Sequence, residues 1–306
     1  MQKSILYIGG GIVIVSIIII GLILFGGQKQ KKVSNNNKKI SVVATIYPLY
    51  DIVKTVAGEN AEVDLLLPPG ASPHFFEFTP KQMQSLKNTD IAFVIGHGAD
   101  DWAKDALTAN DIPIITVDKN IILLNKNHKP KNSDNNPKDV DPHYWLSLNN
   151  AILIAQTVAE TLSENDPDNS PVYQNNAQVF ANDLRQTDKE LRQKIDSLDC
   201  RDMIVLHGAW YYFARHFDLN IVGVFMPESG QTPSPQYISD LSSALEASCS
   251  NVIFTEPQLS TDLLQAFANE HGTKVATLDP IGGEGKIKTY KDLMVYNINV
   301  IIDALK

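Results

Sequence analysis

The chain is predicted to be an α/β protein built from two parallel-sheet βα lobes joined by one long backbone helix. Three observations carry that prediction. Short β-branched runs alternate with helical patterns twice, once in 40–117 and again in 203–304, and this rhythm means βαβ units with parallel sheets. Between the two runs, apolar residues recur at helical spacing at Tyr173, Ala177, Phe180, Leu184, Leu191, Ile195 and Leu198, with a polar step at Thr187. Finally, 306 residues are more than one small core can organise, which favours two lobes and an appendage.

Taken in order, 5–25 is apolar and uncharged for about twenty residues, enough to cross a bilayer as a helix. A poor cleavage site at 22–27 favours an uncleaved single-pass anchor over a signal peptide, and no cysteine follows to carry a lipid. Lys3 alone precedes the segment, whereas Lys29, Lys31, Lys32, Lys38 and Lys39 follow it, which runs against the positive-inside bias for an exported domain. Residues 28–39 are a polar linker without apolar content. The first lobe is assigned to 40–170, with strands near 41–46, 61–67, 91–95 and 114–117 and helices near 50–57, 80–88 and 102–109. Residues 125–139 are polar and are read as a solvated loop, after which 148–163 is a helix. Pro171 opens the linking helix, 171–199, about 40 Å long. The second lobe, 200–306, repeats the pattern with strands near 203–206, 221–225, 252–255 and 275–278 and helices near 209–216, 235–247, 261–271 and 290–304.

Composition excludes one class of partner. The formal net charge of -9 and the scattered Lys and Arg leave no basic stripe to track phosphates, so nucleic acid is not expected. Small cations suit the chain better, and selection among them must come from a site.

In open parallel sheets ligands sit outside the carboxyl ends of the strands. His74 falls there in the loop after the second strand, His207 closes the strand 203–206, and Asp279 closes the strand 275–278. His143 follows the polar interruption that ends the first lobe. A single loop histidine means little, as His97, His128, His216 and His271 show. Two donors from each half, stiffened by Pro73, Pro142 and Pro280, form a set: three imidazoles and a carboxylate saturate a tetrahedral cation such as Zn²⁺.

The same residues carry a family likeness. The runs 67–77 (LPPGASPHFFE), 141–146 (DPHYWL), 205–210 (VLHGAW) and 278–283 (LDPIGG), with 254–258 (FTEPQ), resemble the ordered ligand motifs of the zinc/manganese ABC-transporter solute-binding proteins, the cluster A-I metal receptors. The likeness runs from about residue 40 to 306. It implies a metal held in the cleft between two lobes by His74, His143, His207 and Asp279, delivery to an ABC permease, and a monomeric receptor on the outer side of the cell membrane. Members with Glu at the third position resemble manganese receptors and those with His more often zinc receptors. His207 therefore favours Zn²⁺, with Mn²⁺ or Fe²⁺ as the alternative. Glu77 is read either as the acceptor of a ligand imidazole N–H or as a surface residue, and Glu256 and Glu228 are expected to line the cleft; Trp102, Trp145 and Trp210 are read as packing residues.

Cys200 and Cys249 each precede a strand of the second lobe. With the common local order 2-1-3-4 those strands are neighbours, so a disulfide is expected at the edge opposite the metal, in keeping with export; two buried free thiols are the alternative. A zinc hydrolase is the rival from another class. It is disfavoured because four protein ligands leave no open coordination position, and no HExxH, P-loop or nucleophile elbow occurs, so no catalytic residue is assigned. An adhesin using the same fold is a further alternative.

Overall fold

The computed structural model describes residues 39–73, 76–125, 127–130, 139–226, 234–259 and 262–306. The apolar segment 5–25 and the linker 28–38 lie outside these residues. Among the described residues, no helix is long and apolar enough to cross a membrane.

Strand β1 (Ile40–Ala44) leads through α1 (Tyr47–Ala57) to β2 (Ala61–Leu65). After the loop that would carry His74 come α2 (Pro80–Ser85), β3 (Ile91–Val94), α3 (Asp101–Ala109) and β4 (Ile114–Thr116). All pairings are parallel, in the order β2-β1-β3-β4. α1 begins three residues earlier than its apolar pattern, because Pro48 fits the first turn, where no backbone N–H is needed. At α2, Thr79 and Gln82 form a reciprocal capping box that fixes the helix start.

Two helices then fold back on each other through the short turn Pro167–Asn169: α4 (Leu148–Asn165) and α5 (Ser170–Ile195). α5 buries Tyr173, Ala177, Phe180, Leu184, Leu191 and Ile195. It stops at Ile195, short of the expected 199, because the chain turns at Asp196 and Ser197. Its 26 residues make it about 39 Å long.

The second sheet comprises β5 (Asp202–His207), β6 (Asn220–Met226), β7 (Val252–Thr255) and β8 (Lys274–Thr277), with α6 (Tyr211–Phe217), α7 (Pro235–Ala247) and α8 (Asp262–His271) between them. Its order, β6-β5-β7-β8, is again 2-1-3-4 locally, and all strands are parallel. Because β5 and β7 are neighbours, Cys200 and Cys249 meet at their start and form a disulfide. The last helix, α9 (Tyr290–Leu305), is capped by Thr289.

One apolar cluster runs through both sheets, joining Val42 and Phe93 of the first to Val205 and Phe254 of the second through α5. Polar bonds tie the lobes further. Asp51 accepts the Tyr290 N–H at 2.7 Å, the Tyr290 hydroxyl donates to the Trp145 carbonyl at 2.7 Å, and the Trp145 indole donates to the Pro280 carbonyl at 2.9 Å. Gly283, at φ +88°, lies against the Tyr47 ring; a Cβ there would come within 2.6 Å of it. These ties restrain the lobes from swinging apart.

Candidate metal centre

The cleft opens at the carboxyl ends of both sheets and is lined by Pro73, His143, Trp145, His207, Glu256 and Gln258. His207 is the last residue of β5, a strand whose Met203–Leu206 stretch is fully buried, so its ring is delivered to the cleft by a rigid element. Pro142 precedes His143, which is followed by the helical turn Tyr144–Leu146; the Tyr144 hydroxyl donates to the Ile95 carbonyl at 2.7 Å and pins that turn to the first sheet. The two imidazoles, one from each lobe, meet edge to face with centroids 5.1 Å apart. Both residues are buried.

Each ring has a carboxylate at its Nδ1. Asp141 Oδ1 lies 2.8 Å from His143 Nδ1 and accepts the His143 backbone N–H at 3.0 Å, a local Asx turn. Glu256 Oε2 lies 3.3 Å from His207 Nδ1, while its Oε1 accepts the Trp210 indole N–H at 2.9 Å. A carboxylate at Nδ1 holds the proton there and leaves the Nε2 lone pair available to a ligand. Burial opposes a charge on His207, but Glu256 and, more distantly, Asp141 outweigh it and raise its pKa above the ordinary histidine value. Burial also opposes the charge on Asp141. His128 and His143 outweigh it and hold its carboxyl down at about 2.

Asp279 follows β8 rather than closing it, one residue past Leu278. Its Oδ1 accepts the Ile281 and Gly282 N–H groups, both at 2.9 Å, and lies 3.5 Å from Gln258 Nε2. Its backbone is clamped by Asn297 of α9, whose amide accepts the Asp279 N–H at 2.8 Å and donates to its carbonyl at 2.7 Å. The structure thus brings His143 and His207 together, and holds Asp279 in a loop fixed by Asn297, with the next two residues, Pro280 and Ile281, lining the cleft. Among the described residues, the one group of three such side chains with donor atoms within 4.8 Å is Cys200, Asp202 and Cys249, and there the sulfurs are bonded to each other. His74 and Glu228 lie outside the described residues, although Ser72 and Pro73, just before His74, line the cleft. Glu77 is exposed.

Several participants were not legible as such. Trp145 and Trp210 do pack, as expected, but both indole N–H groups also bond within the site, Trp210 to Glu256 and Trp145 to Pro280. Asp141 stands in the DPHYWL motif, two residues before His143, a spacing that signals a turn; Asn297 is a polar residue at a buried helical position, and nothing around it in the chain signals its partner. At the described start of 125–139 the solvated-loop expectation holds for the exposed Asn127, Lys129 and Pro130 but not for His128. His128, held by a turn in which Asn125 Oδ1 accepts the N–H groups of Asn127 and Lys129, lies flat on Tyr211 with ring planes 7° apart.

A family described as ZnuA, zinc-uptake complex component A, periplasmic, matches residues 42–304, both lobes and the linking helix together. The chain belongs to the ZnuA family. Among members and relatives, the manganese-binding lipoprotein MntA of Halalkalibacterium halodurans is 25% identical over 273 residues, covering 87% of this chain and 88% of that one. The zinc-binding protein AdcA of Streptococcus pyogenes is 24% identical over 273 residues, and the chain spans about half (53%) of its length. A crystal structure of ZnuA superposes with a TM-score of 0.77 at 28% identity, covering 88% of this chain and 100% of that one. ZnuA family membership accords with the two four-stranded parallel sheets and the long helix between them.

Proposed function

We propose that the chain is the extracytoplasmic solute-binding subunit of an ABC metal transporter, capturing one divalent transition metal in the interlobe cleft and passing it to a membrane permease. The observation that carries the reading is the meeting of His143 and His207, from different lobes, each with a carboxylate behind its Nδ1. His74, His143 and His207 supply imidazole nitrogens. Asp279 supplies a carboxylate, through the Oδ2 to which no hydrogen bond is made among the described residues. The ion is cargo here, and a saturated donor set suits a carrier because it holds the metal without leaving a position at which water could be activated.

Imidazole-rich donors favour Zn²⁺ over Mn²⁺, which prefers oxygen. The relatives' names include both metals, so zinc is the inferred cargo on ligand chemistry alone. The apolar segment 5–25 would tether the receptor to the membrane in place of a lipid.

Metal content decides the matter. The full chain, purified in detergent without chelator, should carry close to one transition metal, and added Zn²⁺ should raise the melting temperature of the stripped protein. Well under one metal per chain, with no thermal shift, would sink the reading.

A further inference from the structure

We propose that His128 is a positioning residue for the cargo metal, acting through Asp141 on His143; this rests on the metal-receptor reading above. Neither the spacing of the donors nor the family resemblance attaches a role to His128.

Two buried atoms face each other beneath the cleft. Asp141 Oδ1 is committed twice to His143, through the ring and through the backbone N–H. Asp141 Oδ2 is buried and makes no hydrogen bond among the described residues, and 3.7 Å away lies the Nδ1 of His128, buried and likewise without a hydrogen bond among them. An ionised carboxylate oxygen in that state is costly unless a donor stands close by. The imidazole is the group that supplies one, and a closure of under an ångström would make the bond.

The placement of His128 is built rather than incidental. Antiparallel bridges pair Leu124 with Pro130 and Asn125 with Val140, and the Asp141 N–H donates to the Leu124 carbonyl at 3.0 Å. This narrow hairpin carries His128 back over Asp141. The His128 N–H donates to the Asn125 carbonyl at 2.7 Å, and the residue takes a φ of +59°, in the left-handed region that histidine, like asparagine and aspartate, enters more readily than other non-glycine residues. Its ring is then clamped flat on Tyr211, the first residue of α6 in the other lobe, while the neighbouring Tyr212 hydroxyl bonds both the Leu124 N–H and the Asp141 carbonyl. The result is a chain His128–Asp141–His143 that reaches the cleft and begins on a side chain held between the lobes. An outer partner of this kind orients the ligand ring and keeps its proton on Nδ1, so the metal meets a ready Nε2.

The test compares His128→Ala with His128→Asn in the full chain, using Zn²⁺ competed against a chromogenic chelator. Asparagine keeps an N–H donor near the position of Nδ1. The expected results are an affinity loss of about tenfold for alanine, seen mainly as faster Zn²⁺ release, and recovery to within about threefold for asparagine. Zinc affinity in His128→Ala equal to wild type overturns the proposal. Equal losses in both variants also overturn it, since they would mean that packing on Tyr211 matters and the donor does not. Wild-type protein that binds no Zn²⁺ would instead defeat the receptor reading itself.

Discussion

Glu256 stands behind His207 and ties it to the wall of the cleft: one carboxylate oxygen lies 3.3 Å from the imidazole Nδ1, and the other holds the Trp210 indole N–H at 2.9 Å. The carboxylate is only 4% exposed, so its two partners define its position.

Glu256→Gln should therefore be informative out of proportion to its size. The amide oxygen can keep the Trp210 bond, which turns the amide NH₂ toward His207 Nδ1. Two donors cannot face each other, so the His207 proton is driven to Nε2 and the metal-binding nitrogen is lost. Zinc affinity should fall by about 10–100-fold while the metal-free melting temperature changes little. Unchanged affinity by competition titration would show that Glu256 does not set the tautomer.

Replacing a nitrogen donor by oxygen should retune the site. His207→Glu is expected to weaken Zn²⁺ binding more than Mn²⁺ binding, because imidazole suits zinc and carboxylate suits manganese. Parallel titrations of both metals on both proteins measure this; equal weakening of the two would remove the case for zinc built on this position.

Acid should release the cargo, and the sign can be worked through His207. Its pKa in the metal-free fold is raised, with burial opposed and outweighed by Glu256 and Asp141. In the stripped protein that favourable charge is fully present below the unfolded pKa and is lost as pH rises through the raised value. Metal needs the neutral ring, so the thermal gain from Zn²⁺ should run the other way, growing from about pH 5 to about pH 8. A gain that stays flat across this range would contradict the link.

The disulfide should contribute to stability and not to metal affinity. Cys200 and Cys249 are 49 residues apart, and closing a loop of that size restricts the unfolded chain by about 4 kcal/mol in the chain-entropy account. The bond sits before Asp202, where β5 begins, while His207 sits where β5 ends. Reductant should lower the denaturation midpoint with Zn²⁺ affinity unchanged, and native protein should show no thiol to alkylate. Two alkylatable thiols would refute the bond.

The alternation of strand and helix was legible because parallel strands and amphipathic helices write their periods into the sequence. Met203–Leu206 is uniformly apolar since both faces of its sheet are covered, and α5 shows its buried stripe residue by residue. Helix ends were less legible: α1 starts earlier than its stripe, and α5 ends earlier than its own, because local turns rather than burial set those points. The disulfide could be anticipated because strand order follows a common rule, and β5 does lie beside β7.

Two parallel-sheet lobes with a long helix between them were thus written in the order of the residues. Which groups stand behind His143, His207 and Asp279 was settled by the folded chain. Asp141 with His143 was within local reach, but Glu256 with His207, Asn297 with Asp279, and His128 with Tyr211 and Asp141 are contacts between distant segments. Their reason is electrostatic: a buried polar group must be met by a partner, and which partner meets it depends on where the chain returns, which leaves no period in the sequence.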